Sequence, residues 1–417
     1  MPLTQYMTPG VYVEEVPGGP RPIQAVGTST AGFVGIAPRA DHRVNEAVAI
    51  NNWSQFVREF VPENDPRSTP LSNAVYGFLE NGGTRCFVVN VGADGSVTGA
   101  GRDRVGLEVL EAIDEVAIVL CPGLTATEVQ NATLSHCENA KDRVAILDAP
   151  EEVRDIGKLT QLQTAEAPTR RRTRGAAAPA EGAEPPASDG GETNGGGFKP
   201  RPSEYGTFYF PWLTILDPIE NTLVDVPPSG HVAGIWARSD AMRGVHKAPA
   251  NEVVRGALNV TYRLTREEQG VLNQEGVNCI RLFGREGIRV WGARTLADQS
   301  GEWRYLNVRR LFNMVEESIA QSTNWIVFEP NDRTLWKNIR CDVGAFLTLL
   351  WRDGALMGSS PEEAFFVKCD EETNPKEVID AGQVVTVIGM APVKPAEFIV
   401  FRLSQSAEGA EVLAEGR

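Results

Sequence analysis

The sequence predicts an α/β (α+β) chain, and three observations carry that expectation. Short strands that are apolar on both faces alternate with helical segments over the first 150 residues. A regular run of helices and strands fills the last third. A β-prone segment stands alone near each end of the chain, fenced off by prolines. The 417 residues allow two or three domains, and 42% hydrophobic with 23% charged residues is ordinary for a chain with a large buried core.

The first element is Pro9 to Val16, a β-prone run between Pro9-Gly10 and Pro17-Gly18-Gly19-Pro20. It has no hairpin partner nearby, so it must pair with something distant, in its own chain or in a neighbour. Phe33 to Ile36 is expected as a buried strand. A helix follows over 72–83, with Ser72 as N-cap, Val75, Phe78 and Leu79 as its apolar stripe, and Asn81-Gly82-Gly83 as its stop. Cys86 to Gly92 is a second buried strand. Val116 to Gly123, a helix over 127–142, and Arg143 to Pro150 repeat the strand and helix alternation.

From Gln163 to Gly197 there is no Val, Ile, Leu, Met, Phe, Tyr or Trp, and a basic knot spans Thr169 to Arg174. Such a stretch buries too little apolar surface to offset its ordering entropy, so a disordered surface insertion is expected over about 163–200. Order resumes over Tyr205 to Pro218, followed by a helix within Val232 to Asn251. Cys279 to Phe283 and Ile288 to Trp291, joined by Gly284-Arg285-Glu286-Gly287, read as a hairpin. Helices are expected at Asn307 to Gln321 and Asn331 to Arg352. Strands are expected at Trp325 to Pro330, Ala364 to Cys369, Gln383 to Met390 and Glu397 to Gln405.

A formal charge of −15 disfavours nucleic acid and anionic membranes as partners. No apolar run approaches the roughly 18–20 residues that span a bilayer. The first residues lack the pattern of a signal peptide, so assembly in the cytoplasm is expected. The six cysteines form no CxxC pair, and Cys86, Cys121 and Cys341 read as small buried hydrophobes; neither a metal nor a cofactor is expected.

A rival reading as a subtilisin-like serine hydrolase rests on Gly27 to Ala31, with Ser29 as nucleophile. Every histidine (His42, His136, His231, His246) follows Ser29, whereas a subtilisin-type triad ends on serine. Gly284 to Gly287 lacks the Lys-Ser/Thr of a phosphate loop. The sequence therefore favours a non-enzymatic protein.

Several segments together resemble the tail sheath family of contractile phages, R-type bacteriocins and extracellular contractile injection systems. They are PGVYVEEV (9–16), TSTAGFVG (28–35), FLENGGTRCFVVNV (78–91), GVNCIRLFGREGIRVWGARTL (276–296), WRYLNVRRLF (303–312), WIVFEPND (325–332), EEAFFVKCD (362–370) and APVKPAEFIVF (391–401). The resemblance implies an outer α/β domain at 23–290 and an inner C-terminal α/β domain at 291–395 that faces a central tube. It also implies exchanged β-strand arms at 1–22 and 396–417. The N-terminal arm would be Gly10, Val11, Tyr12, Val13, Glu14, Glu15 and Val16. The C-terminal arm would be Glu397, Phe398, Ile399, Val400, Phe401, Arg402 and Leu403. Each arm would complete a sheet in a neighbouring subunit, and the Pro-rich stretches 17–22 and 392–395 would serve as hinges. Arg309, Arg310, Arg333, Lys337 and Arg340 are candidate surface charges for the tube. The implied assembly is a homo-oligomeric helical sheath of stacked sixfold rings. Its partners would be an inner tube, a baseplate and tail-terminator or cap proteins, in a phage tail or a particle released outside the cell. Neither nucleic-acid binding nor membrane insertion is implied.

Overall fold

The computed structural model describes residues 22–99, 103–163 and 196–399. The first unit runs β1 (Ala31–Gly35), β2 (Ala47–Ile50), α1 (Trp53–Phe60), α2 (Pro70–Glu80), β3 (Cys86–Asn90), β4 (Ile118–Leu120), α3 (Thr127–Ala140) and β5 (Val144–Asp148). After the segment at 164–195, which lies outside the described residues, come β6 (Gly206–Phe210), β7 (Leu213–Leu216), β8 (Leu223–Val226), α4 (Ser229–Arg243), β9 (Glu252–Val253), β10 (Ala257–Val260), α5 (Arg266–Gln274), β11 (Val277–Phe283) and β12 (Gly287–Val290). The chain then forms α6 (Leu306–Ser322), α7 (Arg333–Arg352), α8 (Pro361–Ala364), β13 (Phe365–Lys368), α9 (Lys376–Asp380) and β14 (Val387–Met390).

Among the described residues, nine strands make one sheet in the order β2-β3-β1-β4-β5-β6-β11-β12-β9. The six from β3 to β11 are parallel, and antiparallel strands close both edges. The period-2 side-chain alternation sorts the sheet into two cores. Phe33, Val88, Ile146 and Tyr209 face α1, α2 and α4, while Val34, Val89, Leu147 and Phe208 face α3 and α5. Helices α2 and α4 cross closely because glycines stand at the contact; a Cβ on Gly230 would lie 2.2 Å from the Ala74 carbonyl oxygen. A three-stranded antiparallel sheet, β10-β7-β8, flanks this unit.

A third core holds α6 and α7 against the two-stranded sheet β13-β14, through Leu311, Val315, Ile339, Val343, Phe346 and Leu347. Ile23 joins this core, so the start of the described chain packs against its last third.

Four expectations differ from the structure. Thr69, not Ser72, caps α2. Its Oγ1 accepts from Ser72 N at 3.2 Å and Ser72 Oγ accepts from Thr69 N at 2.8 Å, a capping box in which Pro70 supplies the preset φ of the first helical position. Trp325 to Pro330 is not a strand. Asn324–Ile326 forms a 3-10 turn and Phe328 takes φ 70°, while Trp325 and Ile326 pack onto the third core. Cys341 is exposed, since the helical period of α7 points it away from Ile339 and Val343, whereas Cys86 and Cys121 are buried. Residues 383–386 precede β14 without joining it.

Candidate assembly site: the roots of the two arms

The N-terminal root runs extended along α6. Gln24 N donates to Ser322 Oγ at 3.2 Å and Val26 N to Ser318 Oγ at 3.0 Å, so serines spaced one helical turn apart hold alternate backbone amides. Thr28 is held more firmly. Its hydroxyl donates to Asp240 Oδ2 at 2.6 Å and its carbonyl accepts from Arg310 Nη2 at 3.0 Å. Arg310 in turn donates to both oxygens of Asp240, at 2.9 and 2.5 Å, and stacks 4.8 Å from the Trp236 ring. Asp240 and Trp236 lie four residues apart on α4 and so share a face. Arg310 is 4% exposed and its charge is paired with Asp240, the condition under which a buried charge is tolerated.

Its neighbour Arg309 is also inside. Arg309 Nε donates to Asn313 Oδ1 at 2.7 Å and Nη2 to Glu316 Oε1 at 3.2 Å, and the plane sits 4.2 Å from Trp303 and 4.9 Å from Tyr205. Arg309 and Arg310 are therefore not the surface charges that the sequence suggested for tube contact. Both are consumed in the joint between α6 and the large sheet. The aromatic company in WRYLNVRRLF was the available signal, because arginine stacks on aromatic faces when it is buried.

The C-terminal root has its own clamp. Arg294 Nε donates to Glu397 Oε1 at 3.0 Å, a second bond joins Arg294 Nη2 to Glu397 Oε2, and Nη1 donates to the Asn273 carbonyl at 2.8 Å. The Glu397 hydrogen bond raises the Arg294 pKa above its ordinary value. The backbone of Arg294 is fixed by Asn278, which donates to its carbonyl at 2.8 Å and accepts from its amide at 2.7 Å. Upstream of Glu397, Asn307 Nδ2 donates to the carbonyls of His246, at 2.8 Å, and Val393, at 3.1 Å. Past the clamp, Phe398 and Ile399 are 77% and 75% exposed.

Two clamped roots thus leave one body. Gly10, Val11, Tyr12, Val13, Glu14, Glu15 and Val16 lie outside the described residues, as do Val400, Phe401, Arg402 and Leu403. The sheet β13-β14 offers unpaired edges among the described residues, and Phe366 and Val387 are exposed on it. A two-stranded sheet is marginal by itself and its edges are open to a further strand.

The remaining charge candidates lie on α7. Arg333 and Lys337 are exposed, and Arg333 pairs with Glu371. Arg340 is half-buried and donates to the Cys369 carbonyl, which ties α7 to the end of β13.

The residues of the hydrolase reading do not converge on one another. Ser29 is half-buried just before β1, and among the described residues no hydrogen bond links it to a histidine. His231 is wholly buried between α4 and α2, and burial pushes its pKa down to about 4. Gly284 to Gly287 is the β11-β12 hairpin turn.

Comparison with known proteins places these features in context. Residues 192–296 match the family model of the phage tail sheath protein central domain, and residues 298–406 match that of the phage tail sheath C-terminal domain. Together they span just over half of the 417 residues. The tail sheath protein of Salmonella phage ViI is 32% identical over 188 residues, 43% of this chain and 28% of that protein. The chain spans between about a quarter and a half of the length of the curated relatives it matches. Two solved structures match nearly end to end. One is the sheath complex of an extracellular contractile injection system, PVC, in the contracted state, with TM-score 0.74, 28% identity, 97% of this chain and 99% of that one. The other is the helical sheath of the anti-feeding prophage in the contracted state, with TM-score 0.69, 26% identity, 96% of this chain and 100% of that one.

Proposed function

Because the chain belongs to the phage tail sheath family, we propose that it is a structural subunit that polymerises helically around an inner tube and contracts by rigid-body rearrangement to drive that tube through a target envelope. The observation that carries this reading is the pair of arginine clamps. Buried guanidinium groups hold the chain at Thr28 and at Glu397, so pulling on either end loads the folded body at a defined point.

Beyond the clamps, Gly10 to Val16 and, once Glu397 is set aside as the clamped residue, Phe398 to Leu403 act as linking arms that add strands to the open edges of β13-β14 in neighbouring copies. An added strand of about five residues makes roughly four to six backbone hydrogen bonds, each contributing about 0.5–1.5 kcal/mol net. Apolar side chains at Ile399, Phe401 and Leu403 add about 1.5–3 kcal/mol each when fully buried. One arm is a modest bond, and several arms per copy multiply the effective affinity. Prolines at 17–22 and 392–395 let the body turn while the added strands stay paired.

Residues 23–290 form the outer domain and 291–395 the inner domain against the tube, with Arg333 and Lys337 the surviving candidates for tube contact. Sixfold rings, a baseplate and a terminator or cap complete the assembly, which is built in the cytoplasm. Contraction is a change between two lattice packings of one rigid body. The extended lattice is metastable, and a few kcal/mol per copy, summed along the sheath, supplies the stroke.

Electron microscopy of the purified full-length chain tests the proposal. Regular tubes are expected; a dispersed monomer at every concentration and ionic strength would overturn it.

A further inference from the structure

The loop between α6 and α7 holds a side chain that the fold of one copy does not explain. Phe328 is 100% exposed and Val327 beside it is 62% exposed. Phe328 also takes φ 70°, a left-handed conformation that bulky residues rarely adopt and that costs stability. An aromatic ring held in strain and offered wholly to water gains nothing from the described residues of its own chain.

The loop is built to keep it there. Ile326 N donates to the Thr323 carbonyl at 2.9 Å, and Glu329 N to the Ile326 carbonyl at 3.0 Å, which closes the turn around Phe328. On the far side Asn331 Nδ2 donates to the Gln383 carbonyl at 2.8 Å, while Asn331 Oδ1 accepts from Trp336 Nε1 at 2.8 Å. Trp325 and Ile326 anchor the near side in the third core. The knob is therefore preorganised, and binding it costs little ordering entropy.

We infer that Val327 and Phe328 form a knob that inserts into an apolar socket on a second copy of this chain. The inference rests on the polymer reading above and adds a contact that uses neither arm. Two observations favour a second copy as the occupant. First, the Asn331–Gln383 bond joins the loop to the segment entering β14, where Val385 and Val387 are exposed. The knob is thus tied to the segment that leads into β14, on the sheet proposed above to receive a neighbour's strand. Second, an apolar patch stands on a different sheet of the same chain. Leu216 and Leu223 are exposed partners across β7 and β8, and Leu258 is exposed on β10. An open helical polymer is made of head-to-tail contacts in which one copy carries both knob and socket on different surfaces.

The test places the photo-reactive amino acid p-benzoyl-phenylalanine at position 328 of the full chain and irradiates assembled tubes and dilute monomer in parallel. A covalent chain-to-chain species, formed in tubes and absent from monomer, is expected. Tubes that yield no chain-to-chain crosslink would overturn the inference. A companion variant, Phe328→Asn, suits the left-handed backbone. It is expected to melt no lower than the parent chain and to need about tenfold or more protein to polymerise. Polymerisation at the parent concentration would also overturn the inference. Failure here is distinguishable from failure of the arm reading, because removing residues 1–16 leaves the knob intact.

Discussion

Arg310 on α6 and Asp240 on α4 face each other through two hydrogen bonds, at 2.9 and 2.5 Å, and Thr28 is bound to both of them. Three distant stretches of sequence meet at one buried ion pair. Replacing Arg310 with methionine leaves the Asp240 carboxylate buried and unpaired, and about 3–5 kcal/mol of stability should be lost. Urea unfolding measures that loss. Limited proteolysis of the same variant should show faster cleavage in residues 22–30 than the parent chain does.

At the other root, Glu397→Gln converts a paired ionic contact with Arg294 into a neutral one. A loss of about 1.5–3 kcal/mol is expected by the same unfolding measurement, because charge-assisted hydrogen bonds are the strong ones. Hydrogen exchange should rise at residues 393–399 and stay unchanged in β1 and β3. A uniform rise across the sheet would mean that Glu397 supports the whole fold rather than the arm root.

Acid should weaken the body through its histidines. Burial pushes His231 down to about 4; burial, then Arg143, pushes His136 down to about 4. Both are neutral when folded and free to protonate near 6.5 when unfolded. Their contribution is complete above about pH 6.5 and is lost as pH falls toward 4, by about 3 kcal/mol each. Asp148 runs the other way. Burial raises it to about 6 although Ser229 N, Ser229 Oγ and Gly123 N all donate to it, so its contribution is complete below about pH 4 and is lost as pH rises through 6. Urea midpoints between pH 4 and 7 should fall on acidification. The slope should be shallower in His231→Leu and steeper in Asp148→Asn.

Five of the six cysteines are buried and Cys341 alone is exposed. Burial raises the thiols of Cys86, Cys121, Cys137 and Cys279 far above the ordinary range. A maleimide should therefore label one thiol per native monomer, and Cys341→Ser should abolish the labelling.

The sequence displayed most of the central sheet because its strands are apolar on both faces. Phe33 with Val34 and Val88 with Val89 each divide between two cores, and the short length and β-branched content of these runs favour strands over buried helix. The hairpin at Gly284 to Gly287 was equally plain from its glycines. What stayed hidden depends on partners remote in sequence. Ile326 to Phe328 have strong β propensity, yet Trp325 and Ile326 pack onto the third core and the chain turns there instead of extending. Arg309 and Arg310 read as helix-surface charges until Asp240, Glu316 and Trp303 are seen around them. The cap of α2 was misplaced by three residues because Ser72 and Thr69 both suit it, and Pro70 decides between them.

The most direct measurement compares polymerisation of the full chain with that of chains lacking 1–16 or 400–417, truncations that spare both arginine clamps. Electron micrographs of either truncated chain should show folded monomers and no tubes. Tubes of the same diameter and yield from both would contradict the claim that the ends of each copy hold its neighbours.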